Sequence, residues 1–174
     1  MESKYIIKIT LLGEANVGKT SLVYRFIENK FRDNYKSTLG VNLLKKDMEI
    51  DEYGGVSAQI WDLGGQESFK SLRQLYLEGA NGALLVYDMT SKKTFEKLDE
   101  WVQNFRDARN DAPIILIGNK SDLETQIKIS ESEATDYANQ NNLGLIITSA
   151  KTGENVEDAF IELTKKILDQ ISNV

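Results

Sequence analysis

Along this chain, apolar runs of strand length alternate with amphipathic stretches of helix length. The strand candidates fall at 5–12, 40–50, 56–62, 82–88, 113–119 and 144–148. The helix candidates fall at about 18–28, 67–79, 92–109, 130–141 and 153–171. Ala83-Leu84-Leu85-Val86-Tyr87 and Ile114-Ile115-Leu116-Ile117 are apolar at every position, which predicts central parallel strands covered on both faces. In the last helix Val156, Phe160, Leu163, Ile167 and Leu168 recur at helical spacing, with Glu157, Lys165 and Lys166 facing outwards. Ser130 followed by Glu133 forms a capping box that opens the fourth helix. Asp51-Glu52-Tyr53-Gly54-Gly55 joins two strand candidates as a hairpin turn and so gives one antiparallel pair. The only proline, Pro113, starts a strand, where its missing N–H does least harm. The pattern predicts an α/β fold: a six-stranded, mostly parallel sheet with one antiparallel edge strand, flanked by five helices.

Composition narrows the chemistry. With 174 residues, 41% apolar and 28% charged, the chain reads as one globular domain over residues 1–174. Its 21 cations and 27 anions leave a formal charge of −6, and no basic stripe interrupts that background. Nucleic-acid binding and docking on anionic lipid are therefore not expected. There is no cysteine, hence no thiolate nucleophile, no disulfide and no site for a prenyl or palmitoyl group. There is no histidine, hence no imidazole base or ligand. Any reaction must run on carboxylates, amides, hydroxyls, lysines, backbone groups or a bound ion. The opening Met1-Glu2-Ser3-Lys4 carries no leader and no acceptor glycine, and the longest apolar runs fall far short of the ~20 residues that span a bilayer. The expectation is a cytoplasmic protein that meets membranes only through a partner or a lipid-bearing tail.

Three motifs carry specific chemistry. Gly13-Glu14-Ala15-Asn16-Val17-Gly18-Lys19-Thr20 fits G-x-x-x-x-G-K-[ST] and lies between a strand and a helix, as a phosphate loop must. Its glycines let successive amides curl inwards, Lys19 reaches terminal phosphates, and the Thr20 hydroxyl is placed to bind Mg²⁺, with Ser21 following it. A plain glycine turn with a helix cap is the bland alternative, and the correct flanks weigh against it. Asp62-Leu63-Gly64-Gly65-Gln66-Glu67 puts a carboxylate at a strand end that can meet the same Mg²⁺. There Gly65 could lend an amide to a phosphate and Gln66 could hold a water. Asn119-Lys120-Ser121-Asp122, continuing into Leu123, leaves another strand at the same sheet edge. A carboxylate at Asp122 can accept from guanine N1–H and its exocyclic amine, donors that adenine lacks on that edge. Lys120 would lie over the base, and Ser149-Ala150-Lys151 would bring an amide to guanine O6. Apart from the phosphate loop, each of these motifs alone is also an ordinary strand-end turn.

In this order and at these strand ends, the motifs make the chain similar to the Ras-superfamily small GTPases, whose P-loop NTPase fold is the small G domain. Leu39-Gly40-Val41-Asn42, Ile60-Trp61-Asp62, Gln66-Glu67-Ser68-Phe69, Val86-Tyr87-Asp88-Met89-Thr90 and Thr148 to Asn155 resemble the Rab branch most. The resemblance implies that Phe31 meets the guanine edge-on and that Tyr35 closes over the phosphates. It also implies that Thr38 joins Thr20 and Asp62 on Mg²⁺ while its amide meets the γ-phosphate. Gln66, Lys19 and Thr38 become the catalytic set. GTP and GDP become substrate and product of a slow hydrolytic switch. The implied partners are an exchange factor, a GTPase-activating protein and effectors that read the switch segments. No arginine in cis is evident, so fast turnover is expected to need the activating partner. There are departures from the pattern. Trp61-Asp62-Leu63-Gly64-Gly65-Gln66 resembles Arf-type proteins at this one place, Leu43 stands where most Rabs carry phenylalanine, and Ala15 faces the hydrolysis site. Two rivals remain at this point: a GTP-binding scaffold with little hydrolysis, and a P-loop phosphotransferase.

Overall fold

The computed structural model describes residues 3–31, 41–64 and 71–173. Strands β1 (Tyr5–Leu12), β2 (Val41–Ile50), β3 (Gly54–Leu63), β4 (Gly82–Asp88), β5 (Ile114–Asn119) and β6 (Gly144–Ile147) form one sheet in the order β2-β3-β1-β4-β5-β6. Only β2 runs antiparallel, paired with β3 from Val41↔Leu63 to Ile50↔Gly54. The other four pairings are parallel. β1 lies between β3 and β4: from β1 the chain runs through a helix to the β2–β3 pair on one side, and from β3 it crosses to β4 on the other. That reversal opens a crevice at the carboxyl ends of the strands, where open α/β sheets take their ligands.

Helices α1 (Lys19–Glu28) and α6 (Val156–Ser172) cover one face. Their Leu22, Val23, Val156, Phe160, Leu163 and Ile167 pack on Ile7, Ile9 and Leu11 of β1, and Phe26 stacks flat on Phe160 at 4.2 Å between centroids. Helices α2 (Arg73–Leu77), α3 (Lys92–Glu96), α4 (Leu98–Ala108) and α5 (Glu131–Gln140) belong to the other face. There Leu98, Trp101, Phe105, Ala134 and Ala138 join Ala83, Leu85 and Tyr87 of β4. Every residue of β4 and β5 is buried, as the doubly apolar runs predict. Removing this much apolar surface from water on both faces is what fixes the sheet.

Where boundaries differ, local backbone explains them. The arm expected at 92–109 is α3 and α4 meeting at Lys97, which keeps right-handed dihedrals (φ −87°, ψ −2°); counted as one arm it completes the five helices. The last helix begins at Val156 rather than 153, because residues 149–155 close a tight loop through Gly153 N to Ser149 O (2.8 Å) and a left-handed Asn155 (φ 57°). Within the expected helix 67–79, α2 ends at Leu77: Glu78 turns extended (ψ 130°). Ser130 caps α5 as expected, with Glu133 N donating to Ser130 Oγ at 3.1 Å, the N-cap half of the capping box.

Candidate functional site

The loop 13–18 turns from β1 into α1 through conformations that side chains tolerate poorly. Gly13 (φ 143°) and Gly18 (φ 99°) both sit at positive φ, and a Cβ on either would collide, with the Val86 carbonyl and the Asn119 amide respectively. Lys19, at the start of α1, folds back along the loop, donating to the carbonyls of Gly13 (2.7 Å) and Glu14 (3.0 Å). Burial pushes its ammonium down to about 8, opposed by the carboxylates of Asp62 and Glu14 and reinforced by Arg73. A buried cation of this kind, at a helix N-terminus, is prepared for an anion.

Thr20 Oγ1 donates to Asp62 Oδ2 at 2.5 Å, so the hydroxyl of α1 and the carboxylate closing β3 meet beside Lys19. Asp62 is fully buried. Two hard oxygens, one of them anionic, form the donor set suited to Mg²⁺, which binds through one or two protein oxygens and takes the rest from phosphate and water. No group of three or more acidic residues that could cage a metal by themselves occurs among the described residues.

The 119–123 and 148–150 segments are tied to the 13–18 loop by one side chain. Asn119, 1% exposed at the end of β5, donates through Nδ2 to Val17 O (2.9 Å). Its Oδ1 accepts from Thr148 Oγ1 (3.0 Å) and Ala150 N (3.3 Å). Lys120, in the left-handed region (φ 72°), reaches back to Asn16 O at 2.9 Å and pairs with Asp88 at 2.8 Å. Ser149 Oγ donates to Asp122 Oδ1 at 2.8 Å, which fixes the plane of that carboxylate. Leu123 N closes the turn on Lys120 O at 3.1 Å. Phe31 is half-buried at the margin of the α1–α6 core. The structure thus brings together residues 13–20, Asp62, Asn119, Lys120, Asp122, Ser149 and Ala150 at one edge of the sheet. Tyr35, Thr38, Gly65 and Gln66 lie outside the described residues.

Three contacts were not legible as part of a site. Arg25 of α1 donates to the carbonyls of Ala150 (2.8 Å) and Lys151 (2.5 Å), clamping the 149–151 loop from below. Asp88 orients Lys120. Trp101 Nε1 donates to Glu14 Oε2 at 2.7 Å across 87 residues of sequence. Asp88, Lys120 and Glu14 lie in recognisable motifs, but the contacts themselves leave no signal in the sequence, because each depends on a tertiary crossing.

Comparison with known proteins gives the same answer. The Ras family model matches residues 8–169. The chain is 43% identical over 172 residues to Ras-related protein Rab-4A of Bos taurus, covering 97% of this chain and 78% of that protein. It is 42% identical over 172 residues to Ras-related protein Rab-4A of Homo sapiens, and 41% to Ras-related protein Rab-4B of Homo sapiens, at 97% of this chain and 78% and 79% of those proteins. Neither the phosphotransferase nor the weakly hydrolysing scaffold is favoured by these relatives. This chain belongs to the Ras family, close to its Rab branch, and is a GTPase that works as a guanine-nucleotide-dependent molecular switch.

Proposed function

We propose that the switch binds guanine nucleotide at the edge built by residues 13–20, 62, 119–123 and 149–151, and hydrolyses GTP there with Gln66, Lys19 and Thr38. The observation that carries this reading is Asn119, which joins the phosphate loop, the 119–123 turn and the 148–150 strand end through three hydrogen bonds of one buried amide. Loops so tied hold phosphate and base subsites at a fixed separation. The loop amides and Lys19 take the β- and γ-phosphates. Asp122 accepts from the guanine N1–H and amine, Ala150 N serves O6, and the Lys120 stem and Phe31 flank the base. Gln66 orients the attacking water and Gly65 N meets the γ-phosphate. The water's oxygen forms the new bond to γ-phosphorus as the bond to the β–γ bridging oxygen breaks, leaving GDP and phosphate. Thr20 and Asp62, with Thr38, would hold Mg²⁺, whose charge offsets that of the terminal phosphates. Stabilisation of charge that grows on the transferring phosphoryl group is where the loop amides and Lys19 accelerate the step.

In this reading residues 1–174 act as a single G domain. An exchange factor, a GTPase-activating protein and effectors engage the segments whose sequence carries Tyr35, Thr38, Gly65 and Gln66. No helix among the described residues is long and apolar enough to cross a membrane. The protein works in the cytoplasm and is brought to membranes by a partner or a lipid-bearing tail. The test is a competition titration with GDP, GTP and ATP in Mg²⁺, followed by single-turnover hydrolysis. GDP and GTP bind tightly, ATP does not, and phosphate is released slowly. Equal affinity for ATP would refute the base assignment, and absence of phosphate release would refute the hydrolytic one.

A further inference from the structure

Glu14 places a carboxylate on the very loop that must accept phosphate. That charge is held aside. Its Oε2 accepts from the indole N–H of Trp101 at 2.7 Å, and Trp101 is completely buried in α4. Over the face of the same ring lies Arg73 of α2, its guanidinium carbon 3.6 Å from the centroid. Arg73 is 2% exposed and its Nη1 stands 4.0 Å from Glu100 Oε1, also on α4. Phosphate loop, α4 and α2 therefore meet through three side chains stacked in sequence: carboxylate, indole, guanidinium. The electrostatics at Lys19 reflect the same arrangement, since Glu14 and Arg73 act on its ammonium in opposite senses.

A carboxylate next to bound phosphates repels them, the more so where water is excluded. Hydrogen bonding to the indole and a cation over the ring both offset that charge, and an arginine over tryptophan is a favoured cation–π geometry. We propose that Trp101 and Arg73 are positioning residues for nucleotide retention: they hold the Glu14 carboxylate against α4 and offset its charge, so that displacing α2 exposes that charge to the phosphates and speeds nucleotide release. The inference rests on reading residues 13–20 as the phosphate cradle, and it makes the position of α2 a control on how long nucleotide stays.

The experiment follows release of a fluorescent GDP analogue from the full chain in Mg²⁺. Arg73→Met keeps much of the packing and removes the cation, and release quickens on the order of tenfold. Trp101→Phe keeps a buried ring and removes the N–H, and release quickens in the same way. In a Glu14→Gln background, adding either substitution changes release by no more than about twofold relative to Glu14→Gln alone, because a neutral amide has no charge to offset. Faster release that Glu14→Gln fails to cancel means that Arg73 and Trp101 only pack α2 on α4, and overturns the proposal. So does unchanged release in both single variants. Should Arg73→Met not fold, the Trp101→Phe pair decides by the same criterion. A parent chain that retains no GDP overturns the phosphate-cradle reading itself, a result distinct from any of these.

Discussion

The amide of Asn119 donates to the carbonyl of Val17 at 2.9 Å, a hydrogen bond between β5 and the phosphate loop that spans 102 residues of sequence. The same amide's oxygen holds Thr148 and Ala150. One side chain thus sets the distance between the 13–18 loop and the 148–150 strand end, the two parts proposed to take phosphate and base.

Asn119→Ala leaves the Val17 carbonyl and the Ala150 N–H without this partner, each at a cost of about 1–3 kcal/mol in a buried site. GDP affinity should fall roughly a hundredfold or more, since 1.4 kcal/mol is about tenfold. The apo chain should also melt lower. Calorimetric titration with GDP and a thermal melt check the two effects; a variant with parental GDP affinity would show that the loops are held by other means.

Asp122→Asn should change which base is accepted. The carboxylate is oriented by Ser149 Oγ at 2.8 Å and is read as the acceptor for two guanine donors. An asparagine there keeps one acceptor oxygen and presents an NH2 group, which can donate to the extra oxygen of xanthine. Sites that hydrogen-bond a substrate group reject the analogue lacking it by about 10⁴-fold, so the loss of GDP binding should be large and XDP binding should rise. Parallel titrations with the two diphosphates measure it.

Much of this was legible beforehand because it is local. A motif names its own loop, and apolar runs at β4 and β5 name buried strands. Boundaries were harder where backbone conformation decided them: nothing in Thr152-Gly153-Glu154-Asn155 announces that α6 must wait until Val156 for a left-handed asparagine. The tertiary half of the site was not legible. Lys120 carries a motif, yet its partner Asp88 lies on another strand, and Arg25 carries no motif signal although it holds the 149–151 loop. Glu14 is legible only as a member of the phosphate-loop motif, and only the fold brings Trp101 and Arg73 to it.

Stability should fall as pH rises above about 10. Tyr87 and Tyr137, each in edge contact with Phe95, have hydroxyls pushed well above the ordinary tyrosine value, mainly by burial; in Tyr137 the hydrogen bond to Asp99 adds to it. In the unfolded chain both ionise near 10. Above that pH the folded state holds more protons than the unfolded one, and the difference drives unfolding. Below pH 10 both states are protonated and the full contribution is present. Tyr87→Phe removes one of the two groups and should flatten the alkaline fall, because its hydroxyl makes no hydrogen bond among the described residues. Melting temperature against pH for the parent and Tyr87→Phe tests this, with a parallel decline in both counting against it.

Gln66→Leu should slow hydrolysis about a hundredfold while leaving GDP and GTP affinity nearly intact. The amide is assigned to the attacking water, which is absent from the ground-state contacts of the nucleotide. An effect confined to the chemical step lowers the single-turnover rate without changing dissociation constants. An unchanged rate would show that another group positions the water.

Nucleotide state should be written into segments 32–41 and 64–78. A γ-phosphate can engage both at once, through Thr38 and through Gly65, and its loss releases both, which is how GTPase switches order and disorder. The surface between them is carried by β2, β3 and α2. Leu43 pairs in register with Trp61, and Trp61 lies 6.0 Å from Tyr76 between ring centroids. Leu43 is 53% exposed, so it is not a core residue; together with half-buried Trp61 and Tyr76 it offers apolar surface suited to a partner. Lys8 Nζ sits 3.9 Å over the Trp61 ring and donates to Glu78 O at 2.9 Å, anchoring the far side of this cluster to β1. Any shift of α2 must then alter the Trp61 environment. Hydrogen exchange on the GDP and GTP-analogue forms measures this directly. Protection should rise in both segments with the analogue, while the fully buried strands around Leu85 and Ile115 stay unchanged. Identical exchange in the two states would leave a nucleotide-binding domain with no switch in these segments.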